Sequence, residues 1–113
     1  MRSIDNGSRR AKARKRLGQH FLKDSSAAVR IVASAGIHPT DLVLEIGPGR
    51  GALTGLLLKQ ASFVVGIELD DGLCEALQRR FADSENLLVI NRNALDVDFS
   101  ELIRTQGFDR AVL

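Results

Sequence analysis

Leu42-Val-Leu-Glu-Ile-Gly-Pro-Gly-Arg-Gly-Ala-Leu-Thr54 is the stretch from which the rest of this 113-residue chain can be read. Leu42, Val43, Leu44 and Ile46 form a short apolar run of the kind that makes a buried strand. Glycines follow at 47, 49 and 51, and Ala52 to Gln60 takes up helical spacing. Strand, tight turn and helix together make a cradle for a nucleotide-like ligand. Glycines in such a turn permit positive φ, let a ligand lie against bare backbone, and leave the amides of the helix start pointing into the crevice. Glu45, at the strand's end, would repel a pyrophosphate but attract an ammonium group. The spacing leaves two ligand classes open, because Gly47-Pro-Gly49-Arg-Gly51-Ala52 satisfies both Gly-x-Gly-x-Gly and the Gly-x-Gly-x-x-Gly/Ala of dinucleotide enzymes. A glycine-rich turn with no ligand is the third reading.

The next element narrows the choice. Phe63-Val-Val-Gly-Ile67 is a second apolar strand, and Glu68 stands at its end, about 20 residues past the first glycine, where a carboxylate can accept both hydroxyls of a ribose. Further on, Asp70 or Asp71 can cap a helix in which Leu73, Leu77 and Phe81 recur every four residues, and Arg79-Arg80 suits its C-terminal end. Leu87 to Ile90 reads as a third strand, followed directly by Asn91-Arg-Asn-Ala94. Ser100 starts a short helix through Leu102 and Ile103, Gly107 stops it, and Phe108 to Leu113 begins a fourth strand. Upstream, Asp24 or Ser25 caps a helix whose inward face carries Val29, Val32, Ala33 and Gly36, and Pro39 blocks its continuation. Strands alternating with helices over short connections predict an α/β fold with a parallel sheet and right-handed crossovers. Gly47, Glu68 and Asn93 each follow a strand, so one crevice can hold all three.

The composition, 44% hydrophobic and 27% charged, is that of one soluble globular domain, with no apolar run long enough to span a membrane. A single cysteine, Cys74, excludes an internal disulfide and a cysteine-cluster metal site, and its place on an apolar helix face predicts core packing. Two histidines, His20 and His38, make no metal constellation, so no metal is expected. The net charge of +2 is unevenly spread. Residues 1–16 hold seven of the sixteen Lys and Arg against one acid, a charge of +6, which leaves −4 for residues 17–113. An acidic domain thus carries a basic arm, able to release counterions from a phosphate backbone or simply to solvate a disordered terminus. No apolar segment follows those charges, which argues against a secretory signal, and the cytoplasm is the expected compartment.

Gln19-His-Phe-Leu22, Glu45-Ile-Gly-Pro-Gly-Arg-Gly-Ala-Leu-Thr54, Ile67-Glu-Leu-Asp70 and Asn93-Ala-Leu95 together resemble successive motifs of the ribosomal RNA adenine N6-dimethyltransferases, above all the bacterial small-subunit members. The resemblance runs from about Arg14 to the last residue. It implies a Rossmann-like S-adenosylmethionine-dependent methyltransferase fold, of which this chain is the N-terminal, parallel-sheet half. Residues 1–16 would be a flexible basic arm and residues 17–113 the cofactor-binding part. By the same resemblance, Gln19, His20 and Leu22 would close over the methionine end of the cofactor, and Glu45 would serve its amino-acid group. Gly47 and Gly49 would give close backbone approach, Glu68 would hold the ribose and Leu69 would pack the adenine. Asn93 stands where the family normally has an Asp facing the adenine's exocyclic amine. Arg9, Arg10, Lys12, Arg14, Lys15 and Arg16 would contact phosphates of ribosomal RNA in the small subunit, contributing affinity and not base selection. The family's catalytic Asn-Leu-Pro-Tyr motif follows the fourth strand, and the chain ends at Asp109-Arg-Ala-Val-Leu113 just before it. No catalytic residue is therefore expected here, and the chain is expected to be the first portion of a longer, monomeric enzyme. Two other functions stay open on the residues: a dinucleotide oxidoreductase, and a non-catalytic RNA-binding or ribosome-assembly module.

Overall fold

The computed structural model describes residues 25–112. The basic arm, Gln19, His20, Leu22 and the helix cap at Asp24 lie outside the described residues. Helix α1 (Ser25–Ser34) leads to strand β1 (Leu42–Ile46), helix α2 (Ala52–Gln60), strand β2 (Phe63–Ile67), helix α3 (Asp71–Arg80) and strand β3 (Leu87–Ile90). A single 3-10 turn (Ala94–Asp96) and helix α4 (Phe99–Thr105) follow. The three strands and α2 keep the bounds that their apolar runs and flanking turn residues predict.

All strand pairings are parallel. Leu42 pairs with Phe63 and Ile46 with Ile67, while Val64 pairs with Leu87 and Ile67 with Ile90, so β2 lies between β1 and β3. On the other side of β1, Val112 bridges Val43, giving its N–H to Leu42 O and accepting from Leu44 N, both at 2.8 Å. The chain steps outward from β1 to β3 and then returns across β1. That reversal makes the carboxyl end of β1 a topological switch point, the place where open α/β sheets bind ligands.

The pleat sorts side chains to two cores. Val43 and Val64 turn toward α1 and α2 and pack with Val32, Leu57 and Ala61. Leu42, Leu44, Val65 and Ile67 turn the other way and pack with Ala94 and with Phe99, Leu102 and Ile103 of α4. Each fully buried Val, Leu or Ile contributes roughly 1.5–3 kcal/mol relative to exposure. Cys74 is buried in α3, as expected of a core thiol, and its Sγ donates to Glu68 O at 3.3 Å. Asp70, of the two candidates, caps α3, its Oδ1 accepting from Leu73 N at 2.9 Å.

Three expectations need correction. In α1 the buried row is Ala28 and Val32, while Val29, Ala33 and Gly36 are exposed. Ser26, Arg30 and Ser34 share the outward side of this helix, and the buried face opposite them centres on Ala28, to one side of the row through Val29, Ala33 and Gly36. Helix α4 begins at Phe99, one residue before Ser100, because Asp98 caps it by accepting from Glu101 N at 3.1 Å. The fourth strand does not start at Phe108. Gly107 at φ 81 closes α4, its N–H bonded to Arg104 O at 3.0 Å and the Phe108 N–H to Ile103 O at 3.1 Å, a Schellman ending that keeps Phe108 with the helix. Strand pairing starts only at Val112.

Candidate functional site

The carboxyl ends of β1, β2 and β3 bring Glu45, Gly47, Gly49, Glu68, Leu69 and Asn93 to one edge of the sheet. Gly47, Gly49 and Gly51 all have positive φ, at 69, 60 and 91°. These three values resolve the spacing in favour of Gly-x-Gly-x-Gly, since the third position that needs glycine is 51. Its reason is packing: a Cβ on Gly51 would stand 2.7 Å from Phe81 Cε2 and 3.0 Å from Leu77 Cδ2. At Gly47 a Cβ would meet nothing within 4 Å. The turn is therefore crowded on the side facing α3 and open on the side facing the crevice.

Hydrogen bonds hold the turn from behind. Gly47 N–H donates to Ile67 O at 2.9 Å, and Gly49 N–H donates to Glu68 Oε1 at 3.1 Å. Glu68 Oε2 accepts from Asp70 N at 3.0 Å. Glu68 is only 1% exposed, so its carboxylate is folded into the junction between the glycine turn and the start of α3. The expected ribose acceptor stands at the predicted strand end, and its carboxylate is already latched to the turn.

Glu45, on the α2 face of β1, is half-buried and accepts at Oε1 from Thr54 Oγ1 at 2.5 Å. Burial pushes its carboxyl up to about 7; the Thr54 hydroxyl opposes that shift and the nearby Glu68 adds to it. Such a group is anionic only in part at neutral pH, and a cation placed against it would restore the charge. Asn93 caps the 3-10 turn, its Oδ1 accepting from Leu95 N at 3.0 Å. Leu69 and Leu95, at the ends of β2 and β3, leave 46% and 53% of their surfaces exposed. Apolar side chains presented at a crevice of this kind suit a flat aromatic ring.

The sequence reading did not single out Thr54 or Pro48. Thr54 was detectable as a lone hydroxyl in the row Gly51, Thr54, Leu57, Ala61 that α2 turns inward. Pro48 is buried, and its Cγ would stand 3.2 Å from a Cβ on Gly66, so the glycine inside β2 makes room for the turn. Among the described residues no group of three or more His, Cys, Asp or Glu could hold a metal ion, and no helix is long and apolar enough to cross a membrane.

The family model described as ribosomal RNA adenine dimethylase matches residues 10–110. The chain belongs to that family. Among curated members of the ribosomal RNA adenine dimethylase family, the ribosomal RNA small subunit methyltransferase A of Thermosynechococcus vestitus is 50% identical over 91 residues, 80% of this chain and 34% of the relative. The chain thus spans about a third of the length of the curated relatives it matches. Among solved structures, the 23S rRNA methyltransferase ErmE superposes with a TM-score of 0.64 at 33% identity, over 66% of this chain and 31% of its own. A dimethyladenosine transferase from Plasmodium falciparum gives 0.64 at 32%, over 67% and 28%. The fold is accordingly Rossmann-like and shared with rRNA methyltransferases, and the family assignment removes the dinucleotide reading of the glycine turn.

Proposed function

We propose that this chain is the cofactor-binding part of an enzyme that uses S-adenosylmethionine to dimethylate the N6 of adenines in small-subunit ribosomal RNA. One observation carries the reading: in a chain of the ribosomal RNA adenine dimethylase family, an open glycine turn is flanked by a half-buried carboxylate, a latched acidic strand end and two exposed leucines. These residues fit the cofactor. Gly47 leaves open space for close approach, Glu45 suits the ammonium of the amino-acid end, and Glu68 stands at the end of β2 where a carboxylate can meet ribose hydroxyls. Leu69 offers a face to the adenine ring, and the Asn93 carbonyl oxygen can take a second hydrogen bond from the adenine's amine.

The cofactor, once bound, supplies an activated methyl group with a good leaving group. This chain's residues bind and orient: Glu45 anchors one end and Glu68 with Leu69 the other, so the methyl is presented at a set position, where orientation accounts for much of the rate. Gln19, His20 and Leu22 would close the crevice from the N-terminal side. Arg9, Arg10, Lys12, Arg14, Lys15 and Arg16 would neutralise RNA phosphates. We place the monomeric enzyme in the cytoplasm with the ribosomal RNA it modifies.

Calorimetric titration of the intact protein with S-adenosylhomocysteine, with NADH as competitor, tests the reading. Binding of the homocysteine ligand unaffected by NADH is expected. Preferential NADH binding, or binding of neither, overturns it.

A further inference from the structure

Thr54 is 1% exposed and is the third residue of α2, in the inward row that continues through Leu57 and Ala61, both members of the apolar core between that helix and the sheet. A buried hydroxyl costs stability unless it is hydrogen-bonded, so its presence in an apolar row calls for a reason. The usual partner of a helical threonine is the carbonyl four residues back. That carbonyl, Arg50 O, takes the Arg80 guanidinium at 2.7 Å, while the Thr54 hydroxyl donates across to Glu45 Oε1 at 2.5 Å. Glu45 Oε2 has no hydrogen-bond partner among the described residues, and it is not a buried atom. One oxygen is thus held inside the fold and the other is left open toward solvent. We propose that Thr54 is a positioning residue of the crevice: its hydroxyl fixes the Glu45 carboxylate so that Oε2 is presented as a charged acceptor for the ammonium group of the ligand.

The inference rests on the cofactor reading above and deepens it. Three influences act on Glu45 from the elements around it. Partial burial between β1 and α2 disfavours its charge, Glu68 at the end of β2 repels it, and the Thr54 hydroxyl from α2 stabilises it. Gly66, its register partner on β2, contributes no charge. The Thr54 hydroxyl is therefore the one of the three that favours the anion. A ligand ammonium adds a second, so ligand binding releases the proton of any Glu45 that is still neutral.

The test is calorimetry of the intact protein from pH 5.5 to 9, with S-adenosylhomocysteine and with 5′-methylthioadenosine, which keeps the adenosine end and lacks the amino acid. Wild-type affinity for the homocysteine ligand should fall about tenfold per pH unit on the acid side of about pH 7. Thr54→Val keeps the volume and removes the donor. Its midpoint should move upward, each unit of movement costing about tenfold in affinity at acid pH, with methylthioadenosine affinity unchanged. Thr54→Ser should restore the wild-type profile. If Thr54→Val leaves the midpoint in place, or weakens both ligands equally, Thr54 is a packing residue and the inference is wrong. If the wild type binds neither ligand, the cofactor reading itself fails and takes this inference with it.

Discussion

Glu68 is expected to hold the glycine turn together before any ligand arrives, and substitution in the ligand-free protein isolates that duty. Its carboxylate accepts from Gly49 N at 3.1 Å and from Asp70 N at 3.0 Å, on a residue 1% exposed. Net contributions of hydrogen bonds to a charged group run about 1.5–3 kcal/mol each. Glu68→Ala removes both and leaves two backbone donors in a partly buried site. Water can reach part of that site, and Glu45 is relieved of a repelling neighbour, so the net loss should be about 3 kcal/mol. That is a large share of a typical stability of about 5–15 kcal/mol. Glu68→Gln keeps one acceptor and turns a donor toward the other N–H, and should lose about 2 kcal/mol. Urea unfolding of the ligand-free protein measures both, provided the slope stays unchanged. Amide exchange at Gly49 should accelerate in parallel, because the turn loses its tether. If Glu68→Ala unfolds within about 0.5 kcal/mol of wild type while losing ligand affinity, the residue serves the ribose alone and the latch is not a stability element.

Gly51→Ala should destabilise by about 2–3 kcal/mol, the left-handed φ of 91° accounting for 1–2 kcal/mol and displacement of the Phe81 ring for the rest; a melting temperature equal to wild type would count against the packing account. The ligand-free protein should lose stability as pH rises from about 4.5 to 7. Glu45 has a folded value raised above its unfolded one, so the folded state binds the extra proton in that window, and the loss approaches about 3 kcal/mol at full ionisation. Glu45→Gln should flatten that slope in pH-dependent unfolding, and an unchanged slope would place the titration elsewhere. Asn93→Asp should tighten S-adenosylhomocysteine binding by about 1 kcal/mol, since a charged acceptor strengthens the bond to the adenine amine while the bond to Leu95 N–H is present with or without ligand; weaker binding in calorimetry would argue that Asn93 does not meet the ring.

The strands and α2 were legible because their signals are local and redundant. Phe63 to Ile67 and Leu87 to Ile90 are apolar runs bounded by polar or turn residues, and the glycine turn marks the join between β1 and α2. The face of α1 was misjudged because Val29, Val32, Ala33 and Gly36 satisfy helical spacing, whereas the polar side formed by Ser26, Arg30 and Ser34 lies opposite Ala28 and marks the buried face. The fate of Phe108 turned on a five-residue-back hydrogen bond that a β-prone aromatic does not advertise. In the site, the chemical classes at the strand ends were readable from residue type and spacing. Their internal bonding was not. That Glu68 turns inward to Gly49, and that Thr54 reaches Glu45, depends on how β2 and α2 are placed against the end of β1, which no single stretch of sequence encodes.

Contacts with β2 and with both ends of α3 shape the glycine turn. Ile67 O and Glu68 hold the amides of Gly47 and Gly49, Pro48 sits against Gly66, Phe81 and Leu77 crowd Gly51, and the Arg80 guanidinium caps Arg50 O at 2.7 Å. The turn's conformation is thereby set before binding, and little ordering entropy is left to oppose it. What remains unsatisfied lies on the crevice side: a carboxylate held near half-ionisation, open space over Gly47, and two leucines half out in solvent. Each deficit matches one part of an aminoacyl nucleoside, a cation for Glu45, atoms over bare backbone for Gly47, and an aromatic face for Leu69 and Leu95. A dinucleotide would meet the glycines equally well but would bring a pyrophosphate toward Glu45, where burial and Glu68 already disfavour negative charge. On the proposed reading, electrostatics at the end of β1 would discriminate between the two ligand classes, and the Thr54 hydroxyl, which favours the Glu45 anion against burial, would sharpen it.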